Sequence, residues 1–348
     1  MIYRKGSILI LVLFVMVVLS MAAVSFAYRA GLERRLAAHG AVRARLRTHA
    51  ASAVAIVLAR LKENANEFDH LAEPWHTHEP LATEGWLPEW SANSQGLPPE
   101  FATDYQVIDE EGKLNVLFAS SEALEKLGLS AKQIACLFDW MDTDDVVQSE
   151  GAEEDYYLRA ACPHLCKDSP LESLEELLLV RGFVLSDYYG EDADHDRALD
   201  ACEDDGAASD PLDDADGSLR LGLVDLLTCM GDGRINLNTA PETVLKTLPL
   251  SEGAVDQITG FRNFDGNSSG SLEDHVFRSI EDITALQGLT SVDRSVLSAS
   301  GRFRSEHFRV FVQSRHLKTG LSYCLEVLVR LAGQKPEVLQ WKVVPQHG

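Results

Sequence analysis

The residues with the most chemistry in them are acids. From Asp192 to Glu203 carboxylates stand at the first, third, fifth, ninth and twelfth places (Asp192, Asp194, Asp196, Asp200 and Glu203), with Leu199 at the eighth. Oxygen donors at that spacing suit a hard divalent cation, as in an EF-hand-like loop. Arg197 occupies the sixth place, where a glycine makes the turn, and no clear helix follows Glu203, so a solvated acidic loop is the competing reading. Catalysis finds less support. The histidines His70, His76, His78, His164, His195, His275 and His316 are scattered outside any nucleophile or metal-hydrolase motif, and there is no phosphate loop; a non-enzymatic protein is expected. The cysteines Cys136, Cys162, Cys166, Cys202, Cys229 and Cys324 do not space as a zinc ribbon or a C-x-x-C. Cys162 with Cys166 could form a local bridge and Cys202 with Cys229 could close the acidic loop, while for Cys136 and Cys324 a bridge competes with a buried free thiol.

The elements that carry these residues begin with an apolar stretch. From Ser7 to Tyr28 no side chain is charged, long enough at helical rise to cross a bilayer core of about 30 Å. In lipid that backbone must be helical. One reading is a secretory signal cut after Ser25-Phe26-Ala27. The other takes Met1-Ile2-Tyr3-Arg4-Lys5-Gly6 as a leader, which resembles those of type IV prepilins and pseudopilins, cut by a dedicated peptidase after the glycine. Charge is uneven. Of 31 basic and 54 acidic residues, ten basic ones and the single acid Glu33 fall at or before Lys62. The head is therefore strongly acidic and repels phosphate, which disfavours nucleic acid as a partner. Arg29, Arg34, Arg35, Arg43, Arg45 and Arg47 follow the span while only Arg4 and Lys5 precede it, and by itself that asymmetry argues for a cytoplasmic head.

Beyond Tyr28, apolar residues recur near helical spacing as far as Leu61, so the span is expected to continue as an amphipathic helix to about Asn64. Residues 65–103, with Trp75, Trp86 and Trp90 among prolines, read as a loop laid over the head. Tyr105–Val116 reads as a β-hairpin about Gly112. Strands are expected at Phe308–Ser314, Tyr323–Arg330 and Leu339–Val344, rejoining that hairpin.

Between these lies a weak internal echo. Lys113-Leu114-Asn115 matches Arg234-Ile235-Asn236, and Ser173 to Gly182 matches Ser279 to Gly288, each a capped helix and a tight turn. The stretch Asn236–Arg262 resembles a helix-hairpin-helix, but Glu252 stands where phosphate would sit, so these units read as packing modules, with Asn238 or Thr239 capping the helix behind Pro241.

Taken in order, the Gly6 leader, the acidic segment 139–158, the Ser173–Gly182 unit, the Asn236–Arg262 motif and the closing strands resemble the minor pseudopilin K family of type II secretion systems. The resemblance implies an α+β fold. Its parts would be a leader (1–6), a transmembrane and spine helix (7–64), a pilin-like domain with a small antiparallel sheet (65–117 and 303–348) and a large inserted all-α domain (118–302). It implies an inner-membrane, single-pass subunit with a periplasmic C-terminal domain, processed between Gly6 and Ser7 by prepilin peptidase and methylated. Such a subunit would cap the pseudopilus tip. Its partners would be other minor pseudopilins, the major pseudopilin below and the inner-membrane secretion platform. Assembly would run through Ser7 and Leu11, because Leu11 stands where ordinary pseudopilins carry a glutamate, and a tip subunit has no amine above it to pair. Some members bind calcium in the helical domain, which makes Asp142, Asp144, Asp145, Glu153 and Asp155 a second candidate cluster. A membrane-anchored periplasmic metal- or ligand-binding protein that never polymerises is the alternative.

Overall fold

The computed structural model describes residues 6–63, 67–76, 100–192, 216–251, 253–262, 275–333 and 335–344, with positions 199 and 206. One helix, α1 (Gly6–Glu63), runs through both the apolar span and the amphipathic stretch. Arg60 and Lys62 in its last turn complement the helix dipole. The described residues before Leu46 are exposed or partly exposed. Beyond that point Leu46, Ala50, Ala53, Val54, Val57 and Leu61 form a buried stripe at helical spacing.

That stripe packs on an antiparallel sheet. β1 (Phe101–Asp109) leads into a 3-10 turn (Glu110–Gly112) and the two-residue strand β2 (Leu114–Asn115). Then come α2 (Ser121–Lys126), α3 (Ala131–Met141), α4 (Glu154–Tyr157), a 3-10 segment (Leu174–Leu179), α5 (Leu185–Tyr189), α6 (Leu223–Leu226), β3 (Leu227–Thr228) and β4 (Ile235–Asn236). α7 (Glu242–Leu245), α8 (Ala254–Arg262), α9 (Ile280–Ala285), α10 (Ser291–Ser300) and β5 (Gly301–Arg302) follow, and β6 (His307–His316), β7 (Ser322–Ala332) and β8 (Lys335–Val344) close the chain. The large sheet has the order β1-β6-β7-β8. Its stem-side row runs Val107, Val310, Val327 and Trp341. The first three are buried with Trp75, Tyr105 and Phe308 against α1, and Arg60 donates to the Tyr105 hydroxyl. Each large aliphatic side chain so buried contributes about 1.5–3 kcal/mol.

The hairpin expected at Tyr105–Val116 does not form. β1 pairs along its whole length with β6, and β2 pairs in parallel with β3. Alternating polarity marks a half-buried strand without naming its neighbour, so the nearest strand in sequence was the wrong partner. The turn between them lies in the interior. Asp109 accepts the Glu111 N–H at 2.9 Å, and a Cβ at Gly112 would approach the Thr239 hydroxyl to 2.8 Å, which reserves the position for glycine.

A second hydrophobic cluster holds Leu124, Ile134, Leu137, Trp140, Tyr157, Leu177, Leu227, Leu237, Leu245, Ile258, Phe277 and Leu297, so residues from both copies of the echo share one core. The echo is visible in detail. Asn115 Oδ1 accepts the Leu117 N–H at 2.9 Å and Asn236 Oδ1 accepts the Asn238 N–H at 3.0 Å, the same Asx turn after the same short strand. Gly182 and Gly288 end their units at φ of +94° and +93°. The copies differ where Leu174–Leu179 winds as 3-10 and Ile280–Ala285 as α. Asn238 and Thr239 do not cap α7. Asn238 bridges to the Phe277 backbone at 2.9 Å in both directions, and Thr239 donates to Asp109 at 2.6 Å. Both side chains are buried, and buried donors go to the partners that face them.

Candidate functional site

Among the buried acids of the described residues, two groups in the head differ sharply in their partners. The first is a hub between the sheet and the helical layer. Glu110 receives Lys113 Nζ at 2.8 Å, Arg309 Nε at 2.8 Å and the Thr228 hydroxyl at 2.6 Å, and Arg309 also reaches Glu326. Burial alone would raise the Glu110 carboxyl, but the charges of Arg309 and Lys113 hold it well below the usual range. Beside it, Asp109 Oδ2 accepts from Asn236 at 3.0 Å and from Thr239 and Ser305 at 2.6 Å. Burial and the neighbouring Glu111 nevertheless push Asp109 up to about 6. Every oxygen here serves to join elements.

The second group has a different character. Asp139 sits on α3, Asp142 at that helix's C-cap, and Glu153 at the N-cap of α4 without making a capping bond. The carboxylates of Asp139, Asp142 and Glu153 offer ligand atoms within 4.8 Å of one another, as do Glu153, Cys166 and Asp168. Asp139 and Glu153 are buried, and neither Glu153 oxygen has a hydrogen-bond partner among the described residues. Burial, then the charges of Asp139, Asp142 and Asp168, raise Glu153 to about 7. Such a carboxylate costs several kcal/mol unless a proton or a cation neutralises it. The backbone around the pocket is also forced: Glu150 and Asp168 lie at φ of +69° and +51°, and a Cβ at Gly151 would overlap the Asp139 carboxylate.

The donor set fits a hard cation. Asp139, Asp142, Glu153 and Asp168 provide carboxylate oxygens, of the kind calcium takes in sets of six to eight. The Cys166 thiol is pushed by burial up to about 12, so it stays protonated and is a poor anchor for a soft metal.

Of the second set of sequence candidates, Asp142 and Glu153 converge, and Asp144, Asp145 and Asp155 do not join them. Asp144 accepts the Val146 N–H at 2.9 Å, and the exposed Asp155 pairs with Arg159 at 3.0 Å. Asp139, Cys166 and Asp168 were missed. Asp139 had a signal, three residues before Asp142 on one helix face; Asp168 arrives by tertiary folding alone. In the EF-hand-like loop Asp192 is buried, while Asp194, Asp196, Asp200 and Glu203 lie outside the described residues, as do Trp86, Trp90, Glu252 and Cys202. Cys162 and Cys166 are not bridged, because Cys166 turns into the acid pocket while Cys162 faces solvent; Cys136, Cys229 and Cys324 are free as well.

At the other end of the chain, Gly6 and Ser7 lie in the first turns of α1 and Leu11 is exposed on it. The helix is long and apolar enough to cross a membrane, with a mean hydropathy of 2.9 over its most apolar window.

Residues 113–189, which contain the whole acid pocket, match the family model for type II secretion system protein K. No curated protein sequence matches the chain. Among solved structures it is similar to a chain in the crystal structure of the GspK-GspI-GspJ complex from the enterotoxigenic Escherichia coli type 2 secretion system, with a TM-score of 0.55 and 16% identity over 87% of this chain and 96% of that one. The fold is thus shared over most of both chains, and within it residues 113–189 are the part that matches the protein K family model.

Proposed function

We propose that the chain is a minor pseudopilin of a type II secretion system, a structural subunit without catalytic activity that helps initiate the pseudopilus and caps its tip. The observation that carries this reading is the division of α1. Its last third is buried on the sheet, and the apolar length before it is left bare. An exposed apolar helix of that length needs lipid, and after extraction from lipid it needs other stems. In this reading residues 1–6 are a leader, Ser7 becomes the N-terminus, the head lies in the periplasm, and 118–302 is an insertion in a pilin-like domain that is mainly helical rather than all-α, since the short strands β3, β4 and β5 fall within it. Leu11 leaves the subunit without the acid that would seek an amine above it, which suits the last position in a filament. Partners would be the counterparts of the proteins crystallised with the similar chain.

The test is co-purification of the head with candidate minor pseudopilins, together with the mature N-terminus. A stable complex and a chain starting at Ser7 are expected; a chain starting at Tyr28 refutes the assignment. Calcium belongs to the same reading, held by Asp139, Asp142, Glu153 and Asp168, where its charge would settle the acids. Calorimetry of the head should show a higher melting temperature with calcium than after chelation, and equal temperatures would remove the ion from the proposal.

A further inference from the structure

Of the arginines from Arg29 to Arg47, Arg45 alone has a described partner in the head, Glu100 at 3.6 Å. Arg29, Arg34 and Arg35 are exposed and make no ion pair among the described residues. Their directions are informative. At about 100° per residue, Arg34 is turned about 140° from Arg29, Arg35 a further 100° or so, and about 120° closes the circle. Three cations thus face three sides of one helix. A protein docking on one side would meet one or two of them, whereas a headgroup plane crossed by the helix meets all three.

Height agrees with direction. Arg29 to Arg35 spans about 9 Å of helix axis, directly after the apolar run. The headgroup layer of one leaflet is about 5–7 Å thick, within reach of flexible arginine side chains on either side of it. Tyr28, exposed at the start of this zone, is the residue type that settles at a membrane interface. Between the arginines, Ala30 and Gly31 keep the helix surface slim, and a Cβ at Gly31 would meet nothing within 4 Å. Glu33 is the only acid in the stretch, leaving it net cationic.

We propose that Arg29, Arg34 and Arg35 form a ring that binds anionic phospholipid headgroups in the leaflet from which the head emerges. This rests on α1 crossing a bilayer, not on the tip placement. With the head in the periplasm, as in the proposed function, the ring also explains why cations crowd the side of the span opposite to that expected from loop charge: they hold the stem at a set depth. Guanidinium groups suit this work because each offers several donors to phosphate oxygens and keeps its charge.

The test uses the whole chain reconstituted in phosphatidylcholine vesicles doped with spin-labelled phosphatidylglycerol or spin-labelled phosphatidylcholine, reading the motionally restricted lipid fraction. A preference for phosphatidylglycerol of about fivefold or more is expected at low salt, falling as salt rises. The triple variant Arg29→Gln, Arg34→Gln, Arg35→Gln should lose it. The triple variant Arg43→Gln, Arg45→Gln, Arg47→Gln, changed about 12 Å or more further along the helix, should keep it. No preference in the unaltered chain, or equal loss in both variants, overturns the ring. Alkaline carbonate washing of the same vesicles separates the assumptions. A chain that washes out overturns span and ring together, and a retained chain without lipid preference overturns the ring alone.

Discussion

Glu110 and Glu153 are both buried glutamates in the same head, and they have met opposite fates. Glu110 is surrounded by Arg309, Lys113 and Thr228, and its carboxyl is driven down. Glu153 has only other acids and a thiol for company, and its carboxyl is driven up to about 7. Desolvation acts on both, so the sign of the shift reports the neighbours. A buried acid with its cations built in holds elements together; one without them must be neutralised by a proton or, in the proposed reading, by a cation from solution.

That contrast can be broken from either side. The largest effect is expected at the hub. Arg309→Met leaves Glu110 and Glu326 buried beside one fewer cation, and breaking such a pair costs about 3–5 kcal/mol; urea unfolding measures it, and a loss below about 1 kcal/mol would mean that the hub is open to water. At the pocket, Gly151→Ala pushes the Asp139 carboxylate aside, for about 1–3 kcal/mol of overpacking, and the calcium-dependent rise in melting temperature should shrink with it. Glu153→Gln should behave in the reverse sense, stabilising the chelated head while removing its response to calcium.

The pH dependence of the chelated head follows from the same group. Glu153 has a folded value near 7, above its unfolded one of 4.5, so the native state holds a proton that the unfolded chain gives up. Stability is then fully present below the unfolded value and falls as pH rises toward 7. Asp69, raised to about 7 chiefly by burial, and Asp109, near 6, add to this fall. Melting temperatures across this range should flatten in Glu153→Gln or with calcium; an unchanged slope would assign the proton elsewhere. The smallest effect belongs to Asp155→Asn. Its pair with Arg159 is exposed, worth within about 0.5 kcal/mol, and a calcium response altered by this change would enlarge the pocket beyond the residues that converge in the structure.

What could be read from sequence follows the same divide between local and distant causes. The extent of α1, the closing strands and the paired Asn turns are written in neighbouring residues, by periodicity and by local hydrogen bonding. The partner of β1 is not, since Val107 meets Val310 across the entire helical insertion. Asp142 was legible because acids cluster around it, and Asp168 was not, because it meets Glu153 only through tertiary folding, with a left-handed bend at Asp168 itself. Asn238 and Thr239 failed as caps for the same reason: their types suit a helix start, but partners supplied by distant segments claimed them first.

The pairing of Val107 with Val310 also sets an order in time. β1 leaves the ribosome early and its sole described strand partner, β6, late, with β7 and β8 after it. Until then the apolar face of α1 has no sheet to rest on, while the helical insertion already has both copies of its echo and can condense. The newborn chain would therefore pass through a stage with a finished insertion and an unfinished base, until β6, β7 and β8 emerge and complete the floor beneath its stem.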